Sequence, residues 1–243
     1  MIRLFVCVVV WIACAIATAL IGFPVLFFTG RIDMLWNLSM WSAGVGPRLV
    51  GIRVRSVGRE RLESGRAYLY MPNHVSNLDP PLITPMLGRI SAIAKQELFR
   101  IPLFGRAMRA AGFVSVNRSD RMAAIESVRD AVRVLQSGQA MLVFPEGTRS
   151  RDGSLLPFKK GPFHLAMDAG VPVVPITIVG SHEAWPKGGW ALHPGEVVVH
   201  FHAPLDPHQF ANRDELLVAV RAAIASALPQ QYQASATAGP ASR

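Results

Sequence analysis

The sequence predicts an α/β fold: a mixed, largely parallel sheet flanked by helices, preceded by an N-terminal membrane helix or two-helix membrane motif. Three observations carry that expectation. Short apolar runs such as MLVF and VVPITIV suit strands buried on both faces. Stretches of helical periodicity separate them. Leu4 to Phe28 carries no charge and exceeds the ~20 residues that cross a bilayer as helix. At 243 residues the chain accommodates one large domain. Hydrophobic residues make up 51% and charged residues 17%, which excludes a long disordered or collagen-like chain and leaves apolar surface for a membrane.

The apolar run reads as a membrane segment or a signal peptide. Ala17-Thr18-Ala19 has the small-residue pattern of a cleavage site, yet the run continues past it and a single Arg3 precedes it, so the anchor reading is carried forward. Gly22 and Pro24 are placed to end or kink the helix, leaving open whether it spans or enters one leaflet and turns. Arg31, Arg48, Arg53, Arg55, Arg59, Arg61 and Arg66 follow the run, which predicts a membrane protein whose domain faces the cytoplasm. Ile32 to Val50, with Trp36 and Trp41, reads either as a helix at the membrane interface or as one packed on the domain. Both cysteines, Cys7 and Cys14, lie in the apolar run, so a disulfide framework and a cysteine metal site are excluded.

From Gly51 the pattern alternates. Strands are expected at Ile52–Val57, Ala67–Met71, Ile90–Ala94, Phe113–Val116, Ala140–Phe144, Val173–Val179 and Val197–Phe201. Ser119 or Asp120 caps a helix running to Gln136, with Ile125, Val128, Val132 and Leu135 on one face and Gly138 at its end. A last helix is expected over Asp214–Leu228. The stretch QQYQASATAGPASR lacks periodicity and reads as a frayed tail. The domain plan is therefore an anchor and interfacial helix at 1–50, one domain at 51–228 and a flexible tail at 229–243.

Lys+Arg 25 against Asp+Glu 16 gives a net charge of +9, which calls for an anionic partner: nucleic acid, an acidic membrane surface or a phosphorylated substrate. Nucleic acid is set aside, for the chain has no basic helix run, zinc-finger spacing or aromatic RNA-binding strand. The chemistry gathers at two strand ends. Pro-Asn-His-Val-Ser-Asn-Leu-Asp follows the strand ending at Met71 and brings His74 and Asp79; Pro-Glu-Gly-Thr-Arg-Ser follows Phe144. Imidazole takes and returns a proton near neutral pH, and a carboxylate on its other nitrogen fixes the tautomer. With no domain cysteine and no G-x-S-x-G elbow, and with Ser76 and Ser181 reading as turn or capping hydroxyls, the nucleophile is the substrate's own hydroxyl. No glycine-rich phosphate loop accompanies it, so acyl transfer remains. Two competing readings are a hydrolase in which His74 activates water and a membrane-anchored module that grips anionic lipid without turnover.

These residues carry a resemblance. N-H-V-S-N-L-D at 73–79, G-F-V-S-V-N-R at 112–118, F-P-E-G-T-R-S at 144–150 and V-P-V-V-P-I at 171–176 resemble, in order and spacing, the four motif blocks of the glycerolipid acyltransferases, and within them the branch that acylates lysophosphatidate. Lys95 to Gly105 looks like the family's link between the first two blocks, and the resemblance extends over about Gly51–Phe201. It implies His74 as general base on the 2-hydroxyl of a lysophospholipid, Asp79 as its orienter, and a thioester of coenzyme A or acyl carrier protein as donor. Glu146 and Gly147 would shape the acceptor site, Glu146 by bonding glycerol hydroxyls. Arg149 and Arg118 would grip the acceptor phosphate, Lys95 would add a point charge, and Thr148 would give a further hydrogen bond. No cofactor or metal is implied. His200 and His202 face one way along a strand, but no carboxylate or cysteine is spaced to complete a metal site. His182, His193 and His208 read as solvent-exposed loop residues, and Trp185 and Trp190 as lining for an acyl or membrane-facing surface or as ordinary packing.

Overall fold

In a computed structural model, residues 1–116 and 121–233 are described, with the backbone alone for 121–125. Two apolar helices come first, α1 (Ile2–Thr29) and α2 (Asp33–Leu49). Then follow β1 (Ile52–Val57), β2 (Leu69–Pro72), α3 (Asp79–Leu87), β3 (Ile90–Lys95), α4 (Phe104–Ala110), β4 (Val114–Val116), α5 (Arg121–Gln136) and β5 (Ala140–Leu142). The chain closes with α6 (Gly161–Ala169), β6 (Val173–Val179), α7 (Ser181–Ala184), β7 (Gly195–Phe201), α8 (Arg213–Ser226) and α9 (Gln230–Gln233).

All seven expected strands are present, within three residues at each end, and they pair in the order β1-β7-β6-β2-β5-β3-β4. Every pairing is parallel except β6 with β7. The carboxyl ends of β2, β3, β4, β5 and β6 consequently lie along one edge of the sheet, where the loops after them converge. Alternation along β2 shows why the apolar runs read as doubly buried strands. Tyr68 and Tyr70 join the core under α2 and α3, while Leu69 and Met71 join the core under α5, α6 and α8.

The N-terminal run is one helix. Neither Gly22 nor Pro24 ends it, and Gly30, at φ 68°, closes it by donating its N–H to Leu26 O at 2.9 Å. Gly22 has a packing role instead: a Cβ there would lie 2.6 Å from Leu35 Cδ1 of α2. Trp11 Nε1–H donates to Ala43 O at 3.2 Å, and Thr18 and Ser42 share a hydroxyl bond of 3.0 Å. α2 is thus the helix between. Leu35 and Trp36 are buried, Trp36 against Phe113 at 6.5 Å between rings, and Trp41 is exposed. The outer side of α1 presents Phe5, Ile12, Ile16, Leu20, Phe27 and Phe28 to the surroundings. An apolar helix of 28 residues with that exposure is suited to lipid.

Two expectations need adjusting. The last long helix begins at Arg213, because Asn212 caps it by accepting the N–H groups of Asp214 and Glu215, each at 3.0 Å. The described part of the expected tail is packed: α9 places Tyr232 against Gly153, its hydroxyl donates to Glu183 at 2.8 Å, and its carbonyl accepts Leu155 N–H at 3.2 Å. The expected caps Ser119 and Asp120 lie outside the described residues.

Candidate active site

The site is assembled where β2 ends. Asn73, the first residue beyond the strand, extends the ladder with its side chain: Nδ2 donates to Ile178 O at 3.1 Å and Oδ1 accepts Ile178 N–H at 2.7 Å. The turn that follows is closed by Asp79, the first residue of α3. Asp79 Oδ2 accepts three N–H groups: His74 Nδ1–H at 2.8 Å, Val75 N–H at 2.7 Å and Ser76 N–H at 2.8 Å. Its other oxygen, Oδ1, accepts the Ser181 hydroxyl at 2.6 Å. The carboxylate is 0% exposed, so four donors replace the water it gave up. Because Oδ2 can only accept, the network assigns the imidazole proton to Nδ1 and leaves the lone pair on Nε2. The His74 side chain is 15% exposed, and its ring is stacked on Phe144 with 3.9 Å between centroids and 24° between planes.

The loop after β5 is joined to this turn by its main chain. Ser150 N–H donates to His74 O at 2.8 Å, and His74 N–H donates to Glu146 Oε1 at 2.7 Å. Glu146 Oε2 accepts Leu156 N–H at 3.1 Å. The side chain is turned inward, 1% exposed, with both oxygens committed to the backbone. Burial pushes its carboxyl up to about 8, the nearby Asp79 charge adding to the rise, while the two N–H donors and Arg221 hold it back. Arg221 of α8 donates to Leu156 O at 2.7 Å and Leu155 O at 3.1 Å and lies over the Phe158 ring.

Gly147 turns the loop at φ 68°, a conformation that suits glycine. Thr148 is exposed and Arg149 half-buried. Among the described residues, no carboxylate pairs with Arg149 or Lys95. Lys95, exposed, ends β3 at the same sheet edge, two strands along from β2. Arg118 lies outside the described residues. His200 and His202 stand apart. His202 Nε2 bonds the Thr177 hydroxyl at 2.8 Å, and burial, then neighbouring positive charge, lowers both imidazoles below their ordinary range. His182, expected in solvent, is half-buried against Tyr232, with 6.0 Å between rings.

Two residues of the site were not foreseen. Ser181, read as a cap, bonds Asp79 from 102 positions away, and nothing local in the sequence signals that. Lys187 Nζ donates to Thr148 Oγ1 at 3.2 Å and to Arg149 O at 3.0 Å, bracing the second loop. It stands between Trp185 and Trp190 in a stretch that the sequence marks only by its tryptophans.

An imidazole bonded to a buried carboxylate, cationic side chains along the same sheet edge and an exposed apolar helix are the parts that a group-transfer enzyme working at a membrane would need. A family model described as Acyltransferase matches residues 53–179. A 1-acyl-sn-glycerol-3-phosphate acyltransferase of Limnanthes douglasii is 34% identical over 208 residues, covering 84% of this chain and 73% of the relative. One of Chlamydomonas reinhardtii is 38% identical over 187 residues, 76% of this chain and 56% of the relative. The crystal structure of the 1-acyl-sn-glycerophosphate (LPA) acyltransferase PlsC from Thermotoga maritima aligns with a TM-score of 0.71 and 30% identity, over 91% of this chain and 94% of that one. The chain belongs to the acyltransferase family.

Proposed function

We propose that the protein transfers a fatty acyl group from a thioester, of coenzyme A or acyl carrier protein, to the 2-hydroxyl of lysophosphatidate, giving phosphatidate. The observation that carries the reading is the His74–Asp79 pair, in which Nδ1 is held by a buried carboxylate and Nε2 keeps its lone pair. Nε2 takes the hydroxyl proton as that oxygen attacks the thioester carbonyl carbon. The tetrahedral intermediate collapses, the C–S bond breaks, and the departing thiolate receives the proton from Nε2. Asp79 stabilises the transient imidazolium through Nδ1. Arg149, Lys95 and Arg118 serve the acceptor phosphate, the arginines as planar forks and the lysine as a point charge. Thr148 adds a hydroxyl, while Glu146 and Gly147 shape the loop that presents these groups. Residues 1–50 anchor the 51–228 domain to an anionic membrane surface, on its cytoplasmic side by the arginines that follow α1.

Labelled acyl transfer to lysophosphatidate in detergent, from acyl-CoA and then from acyl carrier protein, tests the reading with wild type and His74→Ala. Phosphatidate from the wild type, falling at least about a thousandfold in the variant, is the expected result. Full activity in His74→Ala overturns the mechanism. Product formed only from a different lysolipid overturns the acceptor.

A further inference from the structure

Beyond Lys95, the link from Gln96 to Gly105 takes no part in the chemistry above, yet it leaves β3 at the catalytic edge of the sheet. Its geometry is tightly determined. Phe99 is buried, and Gly105 backs onto the Phe99 carbonyl so closely that a Cβ at Gly105 has no room. Arg109 Nη1 donates to the same carbonyl at 3.0 Å. Between these two points residues 100–104 project as a closed loop, held by Gly105 N–H on Ile101 O at 2.8 Å. Phe104 N–H donates to Pro102 O at 2.6 Å, around Leu103 at φ 62°, ψ −54°. That is the rare γ-turn of positive φ, strained for any residue with a Cβ. Strain of this kind persists where the surroundings enforce it and points to a use.

The turn displays carbon. Leu103 is 58% exposed and Phe104 48%, with Leu98 and Ile101 beside them also exposed. Four large apolar side chains within seven residues are out of place against water. The patch lies beside the exposed end of α1: Arg106, two residues beyond Phe104, sets its guanidinium 5.6 Å over the Phe27 ring, itself edge-on to Phe28. Arg100, Arg106 and Arg109, all exposed, flank it with positive charge that suits lipid phosphates.

We infer that Leu98–Phe104 is a second membrane-contact element, which inserts its apolar tip into the headgroup boundary of an anionic bilayer and presses the sheet edge carrying Lys95 and His74 against the lipid. This rests on the reading of the protein as a membrane-associated acyltransferase, but its first test needs no turnover. Leu103→Cys, in the full chain with Cys7→Ala and Cys14→Ala, carries a nitrobenzoxadiazole probe. A second chain carries it at Val218→Cys, exposed on α8, which packs in the other of the two cores. On vesicles of phosphatidylcholine and phosphatidylglycerol, the probe at 103 shifts to the blue and is quenched by doxyl lipid, while that at 218 stays as in water. Indistinguishable probes on vesicle-bound protein overturn the inference. In turn, Leu103→Glu with Phe104→Glu lowers turnover of lysophosphatidate held in vesicles roughly tenfold and leaves turnover of a short-chain, monomeric lysophosphatidate unchanged. Equal loss on both substrates, or loss on neither, also overturns it. Wild type that turns over neither acceptor counts against the acyltransferase reading, and the probes still decide this one.

Discussion

Two segments leave the same edge of the sheet and are held by opposite means. After β2, the turn from Asn73 to Asp79 brings its side chains inward, and the Asp79 carboxylate meets four donors at 2.6–2.8 Å. After β3, residues 98–104 turn apolar side chains outward, and a glycine contact and a strained turn hold them there. The first is a polar network in which each member depends on the next, so the loss of one group is felt at Nε2 in any medium. The second has no chemistry to lose. Its variants should be silent until lipid is present. The contrast separates what makes the reaction from what delivers the substrate.

The largest effect is expected at Asp79. Asp79→Ala removes both the charge and the acceptor of Nδ1–H, and kcat should fall about a thousandfold, equally in detergent and on vesicles. Asp79→Asn should cost less, about a hundredfold, for a reason visible in the geometry. Three N–H groups converge on Oδ2, so the amide oxygen takes that place, and the amide NH2 faces the Ser181 hydroxyl, which can accept. The tautomer survives and only the charge goes. Equal losses in the two variants would show that orientation of the imidazole contributes nothing beyond the charge.

Arg149→Ala comes next. Half-buried and without a carboxylate partner among the described residues, its guanidinium is available to the acceptor phosphate. KM for lysophosphatidate should rise about tenfold with the donor's KM unchanged. A parallel rise in both would assign Arg149 to the loop's structure instead of the acceptor.

Much of this was legible beforehand, and the boundary follows the range of the interactions. The seven strands came from local apolar runs whose meaning is set within a few residues, as VVPITIV became β6 without a change of boundary. His74 and Asp79 are five apart, close enough for one turn to join them, so spacing alone exposed the pair. Ser181 and Lys187 reach the site from 102 and 39 positions away, and no periodicity encodes such contacts. Glu146 was placed at the right loop, and its bonds to the main chain of His74 and Leu156 were not foreseen. A motif shows that a carboxylate is needed and does not show whether its oxygens face substrate or main chain. Gly22 and Pro24 were read as positions that end or kink the helix; it ends at neither, and Leu35 of α2 packs where Gly22 leaves room, a contact that no local pattern announces.

The inward side of Glu146 has a pH signature. Its carboxyl, raised by burial from the ordinary 4.5 to about 8, favours the folded state most when protonated. Its contribution is complete below the ordinary value and is lost as pH rises through about 8. Glu146→Gln removes the titration and sets an amide NH2 against one of the two main-chain N–H donors, so the variant melts lower than wild type in acid. The gap in Tm should narrow as pH rises from about 6 to about 9, because only the wild type weakens. A gap independent of pH would mean that Glu146 stays in one protonation state throughout.

The smallest effect is expected at Ser181, and it tests the network most finely. The Ser181 hydroxyl shares the negative charge of Asp79 at Oδ1, the oxygen that does not touch His74. Ser181→Ala leaves Oδ1 without its donor while the three N–H groups on Oδ2 stay in place. kcat should fall only a few-fold, with both KM values unchanged. The same substitution in the Asp79→Asn background closes the cycle. If the serine acts by supporting the Asp79 charge, its effect on kcat should vanish there, and a loss of equal size would show that Ser181 acts by some route other than that charge.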